Sequence, residues 1–468
     1  MTSVQKQLGL MVLAFTAGVT LSGCGSTMDT VNNWFKAEHK SNLKGERISL
    51  LASNDALKPD PTLVGTSVVL PAPYRNPEWA QPGGFPSNAL YHLDAPGPLR
   101  EVWSESAGKG SDTTSRLTAS PVVGGGRIFT LDAEAHVYAY DAKTGRALWD
   151  RRLAPKNGTD MPTLWGLLGK PNTIEPASGM GGGIAYDNGK IYVTSGFGVV
   201  YGMDAKTGET LWGQDIGLPI VNAPVINGGR IFVSTHDNHF YALAETNGRQ
   251  LWSHQGIPES AGVLSSTSAA VLGEFVIVPY SSGEIYALRV QNGQVAWSDV
   301  LSRSGQVTAL SELDDIAGRP VIDRDMVFAV SHAGVMSATN LSSGDRVWSR
   351  DVGGTQTPLA AGDFVYVMTE DAQLLCLTRK EGKVRWVHQM PAFENEDLKL
   401  RPISWTGPIL VSDRLITTSS NGYLQALSPY TGDTLARIEL DAGTSVAPIV
   451  ADGMVYIYND DAELTALR

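Results

Sequence analysis

The sequence predicts an all-β chain, an eight-bladed propeller of four-stranded antiparallel blades whose ring is closed by an N-terminal strand completing the C-terminal blade. Three observations predict it. A four-strand unit recurs along the chain, the last copy stops one strand short, and a lone strand with the missing features stands just before the first copy.

The first full unit runs Pro121-Val-Val, a Gly turn at Gly124 to Gly126, Arg127-Ile-Phe-Thr-Leu, a second turn, Val137-Tyr-Ala-Tyr-Asp141, then Thr144-Gly145 and Leu148-Trp149. Short runs of Val, Ile, Phe and Tyr separated by Gly, Asn and Asp are the pattern of antiparallel strands joined by tight turns. The closing signature returns as Thr207-Gly208 with Trp212, Asn247-Gly248 with Trp252, Asn292-Gly293 with Trp297, Ser343-Gly344 with Trp348, and Glu381-Gly382 with Trp386. A seventh copy, Thr431-Gly432, has Ala436 where Trp would stand, and in each copy that position lies four residues after the Gly. Successive copies are 38 to 63 residues apart, near the roughly 40–50 of four-stranded propeller blades, with loop insertions accounting for the excess.

The last copy begins at Pro448-Ile-Val, continues through Met454-Val-Tyr-Ile-Tyr and Glu463-Leu-Thr-Ala-Leu, and ends at Arg468 with three strands. Leu99-Arg-Glu-Val-Trp103 supplies the fourth. Joined tail to head, the units make a ring with no open blade to template aggregation. The repeated tryptophans (Trp103, Trp149, Trp212, Trp252, Trp297, Trp348, Trp386) and turn glycines such as Gly145 and Gly208 are then architectural: each Trp is expected to cover the Gly of an adjacent turn, which is there for its backbone conformation and not to cradle phosphate.

Composition agrees. With 42% hydrophobic and 18% charged residues the 468-residue chain can bury a large core, and 50 Gly with 25 Pro provide many turns. A net charge of −12 argues against nucleic-acid binding through phosphates and against adsorption to anionic lipid. The two cysteines, Cys24 and Cys376, allow no disulfide framework and no cysteine-based metal site, and Cys376, inside an apolar strand pattern, is expected to pack as a small hydrophobe.

Ahead of the repeats, residues 1–23 read as a signal peptide: Lys6, an apolar run from Leu8 to Leu21 too short to span a bilayer comfortably, and Leu21-Ser22-Gly23 just before Cys24. The quartet resembles a lipobox, which implies diacylglycerol on the Cys24 thiol, the acyl modification (palmitate among its chains) of a bacterial lipoprotein. Gly25 after the cysteine, in place of Asp, favours sorting to the outer membrane, on its periplasmic face. Residues 24–97, polar and then Pro-rich, read as a lipidated tether whose Tyr74 and Trp79 dock on the main body, and residues 98–468 as the propeller.

Ala139-Tyr-Asp141-Ala-Lys-Thr144-Gly145-Arg-Ala-Leu-Trp149 and Gly202-Met-Asp204-Ala-Lys-Thr207-Gly208-Glu-Thr-Leu-Trp212 are similar to the tryptophan-docking motif of quinoprotein (PQQ-like) propellers. Two branches of that superfamily compare. The quinone-dependent alcohol dehydrogenases are characterised by a vicinal Cys-Cys disulfide, calcium held by Glu, Asn and Asp, and an Asp base; this sequence has no Cys-Cys and no Cys-x-x-Cys-His for haem, and no cofactor is expected. The chain resembles more closely the BamB family, lipoprotein scaffolds of the outer-membrane β-barrel assembly (BAM) machinery, with a lipobox, a tether and one propeller. That resemblance implies a non-enzymatic role in protein insertion into the membrane, docking on the POTRA domains of a BamA-like barrel subunit, with unfolded outer-membrane proteins as further partners. By position in the family's loop motif, Leu313-Asp314-Asp315-Ile316 matches the partner-binding segment, with Asp315 the corresponding acid, Ala317 in place of a second Asp and Glu312 in place of an Arg; Leu218 and Ile220 stand where a second contact loop is found. The plain alternative for Asp315 is an acid capping a turn at a strand entrance. A quinone-dependent enzyme and another envelope propeller for sugar or peptide are the alternative functions.

No nucleophile elbow, P-loop or His-Glu-x-x-His is present, and His236-Asp-Asn-His239 straddles a hairpin turn, where solvation explains it better than a metal. Two insertions, Arg151 to Met180 and Met390 to Ser404, are long enough to reach a partner or to fold back on the ring.

Overall fold

The computed structural model describes residues 57–113, 115–153, 181–258, 267–302 and 315–468. Eight four-stranded antiparallel sheets account for almost all of the strands. Taken in chain order they are blade 1 (122–152), blade 2 (182–215), blade 3 (225–255), blade 4 (270–300), blade 5 (321–350), blade 6 (359–389) and blade 7 (405–439), and blade 8 is made of Ile449–Ala451, Met454–Tyr458 and Glu463–Leu467 plus Glu101–Ser106 from the other end of the chain. Trp103 pairs with Ala466 and Ser104 with Thr465, and Arg100 and Arg468 exchange both backbone hydrogen bonds at 2.7 and 2.8 Å. The tail-to-head closure read from the sequence is therefore the observed one.

Each blade grades from a buried interior to a solvated rim, and the strand sequences follow. Phe275–Pro279 and Met326–Val330 are wholly buried, whereas the outermost Thr434–Glu439 is almost wholly exposed. A strand with neighbours on both faces must be apolar throughout, and a rim strand need be so only where it touches the next blade. That touching residue is the tryptophan. Opposite it in the register stands a small side chain: Ala139 across from Trp149, Gly202 from Trp212, Ala242 from Trp252, Ala287 from Trp297, Ala338 from Trp348, Cys376 from Trp386 and Ala466 from Trp103. Cys376 is fully buried at a position that is otherwise Ala or Gly, and burial holds its thiol pKa far above the usual value.

The indole then leans over the turn of the following blade. A Cβ at Gly145, Gly208, Gly248, Gly293, Gly344, Gly382 or Gly432 would come within 2.6 to 2.8 Å of Trp103, Trp149, Trp212, Trp252, Trp297, Trp348 or Trp386 respectively. Any other residue there would also carry strain, since Gly145 has φ +73° and Gly293 the same. At five of these joints the indole N–H donates to a backbone carbonyl near the neighbouring turn, as from Trp252 to Val290 at 3.0 Å and from Trp297 to Leu341 at 2.8 Å, whereas the Trp103 N–H has no partner among the described residues. The turn itself is held by its acid: Asp141 Oδ1 accepts from Thr144 Oγ1 at 2.9 Å and from the Thr144 N–H at 3.0 Å.

Residues 57–97 contain one short 3-10 turn, Pro61–Leu63, and are otherwise irregular. From Asn76 to Leu93 they circle the axial channel along the inner edges of the blades, in blade order. Asn76 O accepts from Asp452 N of blade 8; Trp79 and Val123 of blade 1 exchange hydrogen bonds at 2.9 and 2.8 Å; Ala80 O accepts from Tyr186 N of blade 2; and the Gln81 amide bonds to the backbone of Ile226 in blade 3. Pro86 O then accepts from Val271 N of blade 4 and Ser87 O from Ile322 N of blade 5; Ala89 packs with Ala360 of blade 6; and Leu93 bonds to Leu410 and Ser412 of blade 7. An innermost strand has one ladder edge without a partner strand, and this collar supplies hydrogen-bond partners to those edges.

Candidate functional site

The loops that lead from the rim of one blade to the innermost strand of the next gather on one face of the ring. The collar meets those inner strands towards their other ends, so it lies across the channel on the side opposite the entry loops. The residues expected to bind a partner belong to these entry loops.

In the entry to blade 5, Asp315, Ile316 and Ala317 are all buried. The loop is clamped between blades: His332 N donates to Asp315 O at 2.8 Å, Thr267 Oγ1 donates to Ala317 O, and Asn88 Nδ2 of the collar donates to Pro320 O at 2.8 Å. In the entry to blade 3, Ile220 is fully buried and bridges to Thr235, Leu218 is half-buried, and Pro219 is exposed and accepts from His236 N at 2.9 Å. This corrects the expectation that Ile220, Ile316 and the Asp315 carboxylate present themselves at a surface. A branched apolar side chain at a blade junction gains more from the interblade core than from water, and Asp315 sits among these buried groups. Leu218 and Pro219 are the accessible part of the 218–220 loop. Leu313 and Asp314, the lipid-attachment residue Cys24, and residues 154–180 of the first insertion lie outside the described residues.

The second insertion folds as a small hairpin, Phe393–Asn395 with Leu400–Pro402, in which Glu396 Oε1 accepts from the Ala392 and Phe393 N–H groups and Arg401 pairs with Glu394 at 3.0 Å. Leu398 and Leu400 on it are exposed. His239 pairs with Asp237 at 2.9 Å across its own turn, and the described residues hold no cluster of three or more His, Cys, Asp or Glu that could bind a metal.

Sequence reasoning missed the chamber at the ring's centre. The channel between the collar and blades 5, 6, 7, 8 and 1 is a cavity of about 370 Å³. Trp79, Asn88 and Leu90 of the collar line it from one side, and Arg116, Ser120, Arg319, Gln356 and their neighbours from the entry loops. Among the described lining residues none is Asp, Glu or Cys. A quinone held over a calcium ion needs carboxylates at the hub, so this lining does not fit the group that quinoprotein dehydrogenases carry.

The family model for outer membrane protein assembly factor BamB matches residues 92–168, 159–388 and 395–468, which is the whole ring. This chain belongs to the BamB family. Among relatives in that family, outer membrane protein assembly factor BamB of Moranella endobia (strain PCIT) is 24% identical over 371 residues, covering 79% of this chain and 90% of the relative. The protein of the same name from Escherichia coli (strain K12) is 25% identical over 368 residues, 78% of this chain and 88% of its own length. Among solved structures, BamB from Moraxella catarrhalis superposes with a TM-score of 0.62 at 16% identity, covering 79% of this chain and 99% of that one. The quinohemoprotein alcohol dehydrogenase of Comamonas testosteroni gives a TM-score of 0.60 at 14% identity, covering 84% and 81%. Those two likenesses speak for the fold alone. The collar up to Tyr91 lies ahead of the residues that the BamB family model matches.

Proposed function

We propose that this BamB-family chain is a non-catalytic, lipid-anchored scaffold of the outer-membrane β-barrel assembly machinery, held on the periplasmic face through Cys24 and docking on the POTRA domains of a BamA-like barrel subunit. The observation that carries the reading is the match of the BamB family to the ring from residue 92 to the C-terminus. The geometry supports the direction of docking. The collar lies across the other end of the channel, and interblade bonds such as those of Ala317 and Pro320 fix the described parts of the entry loops relative to one another. Loops held at fixed spacing on a rigid ring bind a folded domain without a large ordering cost. Leu218, Pro219 and the residues leading up to Asp315 are the proposed contacts, and Asp315 braces its loop from within.

Affinity capture of the full-length chain from detergent-solubilised outer membranes tests this. Recovery of a large β-barrel protein with periplasmic domains, lost on Leu218→Glu/Pro219→Glu substitution, is the expected result. Capture without any such barrel, together with quinone-dependent dye reduction by the purified chain, would overturn the reading in favour of the dehydrogenase branch. Anchoring is read separately: Cys24→Ser is expected to release the chain from the membrane fraction.

A further inference from the structure

We propose that the rim of blade 6 is a docking site for an extended polypeptide segment bearing an apolar residue and, three places on, a carboxylate, and that the chain here fills this site with its own residues 57–66. The segment crosses the outer strand of that blade, Val384–Gln389: Asp60 N donates to Val384 O at 2.8 Å, and Arg385 Nε donates to Thr66 O at 2.8 Å. Half-buried Leu57 packs against the apolar core between blades 5 and 6. Asp60 lies in the field of Lys383 and Arg350; hydrogen bonds from Thr62 hold its carboxyl below the usual range, and those two positive charges lower it further. An apolar hollow, a backbone carbonyl on a strand edge and a group of cations together suit an extended acidic peptide.

This rim differs from the others in sequence. The residue just before the tryptophan position of the outer strand is Val102, Leu148, Leu211, Leu251, Ala296, Val347 or Leu435 in the other blades and Arg385 here, where the chain's own segment offers it a carbonyl. From Arg379 to Arg385 there are four cations and one acid, in a chain of net charge −12. Arg379 is buried in its pair with Asp323, whereas Lys380, Lys383 and Arg385 reach the surface. The chain's own segment holds the site loosely. Among the described residues, the Asp60 N–H and Thr66 O are the backbone groups of residues 57–67 that bond to the ring, and others bond within the segment, as Leu63 N to Asp60 O and Thr66 N to Leu63 O, both at 3.0 Å. Pro59 and Pro61, on either side of Asp60, have no N–H to offer the strand edge, and Val64 is 82% exposed. Firm attachment begins at buried Val68. A segment tied on there acts as a ligand at an effective concentration in the millimolar range, so against a free peptide of about 0.1 mM affinity it is about a tenfold handicap. A partner segment without the prolines gains strand-edge bonds that offset this handicap.

Fluorescence anisotropy with two labelled peptides, added to the full-length chain in detergent, tests the site. The first has the sequence of residues 57–66, Leu-Lys-Pro-Asp-Pro-Thr-Leu-Val-Gly-Thr. The second, Leu-Thr-Val-Asp-Val-Thr-Leu-Ser-Gly-Thr, keeps the leucine and the aspartate three places on and replaces the prolines with residues that can pair along a strand edge. Both are expected to bind Leu57→Ser/Asp60→Asn, in which the chain's own segment is weakened, about tenfold more tightly than the wild type, the second peptide at least as well as the first. Adding Lys383→Gln/Arg385→Gln to that variant is expected to weaken both by about tenfold while leaving the melting temperature unchanged, which separates loss of the site from loss of the fold. Binding of the first peptide alone would show a site reserved for the chain's own segment and would overturn the proposal. So would equal affinities in the wild type and Leu57→Ser/Asp60→Asn, or no binding of either peptide up to about 1 mM.

Discussion

The joints between blades 6 and 7 and between blades 7 and 8 occupy equivalent places in the ring and are built differently. At the first, Trp386 covers Gly432 and donates its N–H to Pro429 O at 3.2 Å. At the second, Ala436 stands where the tryptophan would be, and in the last blade Gly97 lies against Arg468 at the place of the glycine turn. Arg414 of blade 7 takes over, donating Nη1 to Gly97 O at 2.8 Å and Nη2 to Ala95 O at 2.9 Å. The joint without a tryptophan thus coincides with the seam of the last blade, where a charged hydrogen-bonding group stands in place of an aromatic that needs a glycine.

Substitutions can break this contrast. The largest effect is expected at a tryptophan joint: Trp252→Ala removes the ring packed on Gly293 and the bond to Val290 O, and costs about 3–5 kcal/mol in a denaturant melt. Gly293→Ala attacks the same joint from the other side, forcing a methyl to 2.6 Å from the Trp252 ring at φ +73°, with a loss of about 1–3 kcal/mol. At the exceptional joint, Arg414→Ala is expected to cost about 1–2 kcal/mol by leaving the Ala95 and Gly97 carbonyls short of a donor. Ala436→Trp should stabilise nothing, and a gain in melting temperature would mean that the joint does have a docking surface. The smallest effect is acidic. Hydrogen bonds from Thr144 and Thr207 hold the Asp141 and Asp204 carboxyls below the usual carboxylate range. A depressed folded-state pKa contributes stability above the unfolded value of 3.8, lost as pH falls through the lower folded value. Asp141→Asn/Asp204→Asn should therefore flatten the loss of stability in that acid window, read by melts at successive pH values.

The ring and its closure were legible because each blade repeats one solution to one packing problem, whereas the small residue opposite each tryptophan (Ala139, Gly202, Ala242 or Cys376) emerges only from the strand register. The collar was not. Pro-rich composition between residues 59 and 86 reads as an extended, partly ordered connector docked by Tyr74 and Trp79, but its course from blade to blade is hidden because the segment bonds largely through backbone carbonyls and amides, which leave no periodic side-chain trace. A signal was present all the same: Trp79, the Gly83-Gly84 pair, Asn88 and Leu90 lie close together, and a Cβ at Gly83 would run into the Asn88 side chain. The entry loops were placed correctly along the chain, but sequence position could not tell a side chain facing a partner from one such as Ile316 facing the next blade.

Ring closure by the 101–106 strand is the claim on which the rest stands, and it is tested most directly by a cysteine pair at Ser104 and Thr465, whose hydroxyls lie 3.1 Å apart across the seam. Ser104→Cys/Thr465→Cys is expected to form an intramolecular disulfide under mild oxidation, with both thiols disappearing from titration and the melting temperature at least maintained. Two thiols that remain free while the chain stays folded would show that the N-terminal strand does not complete the last blade.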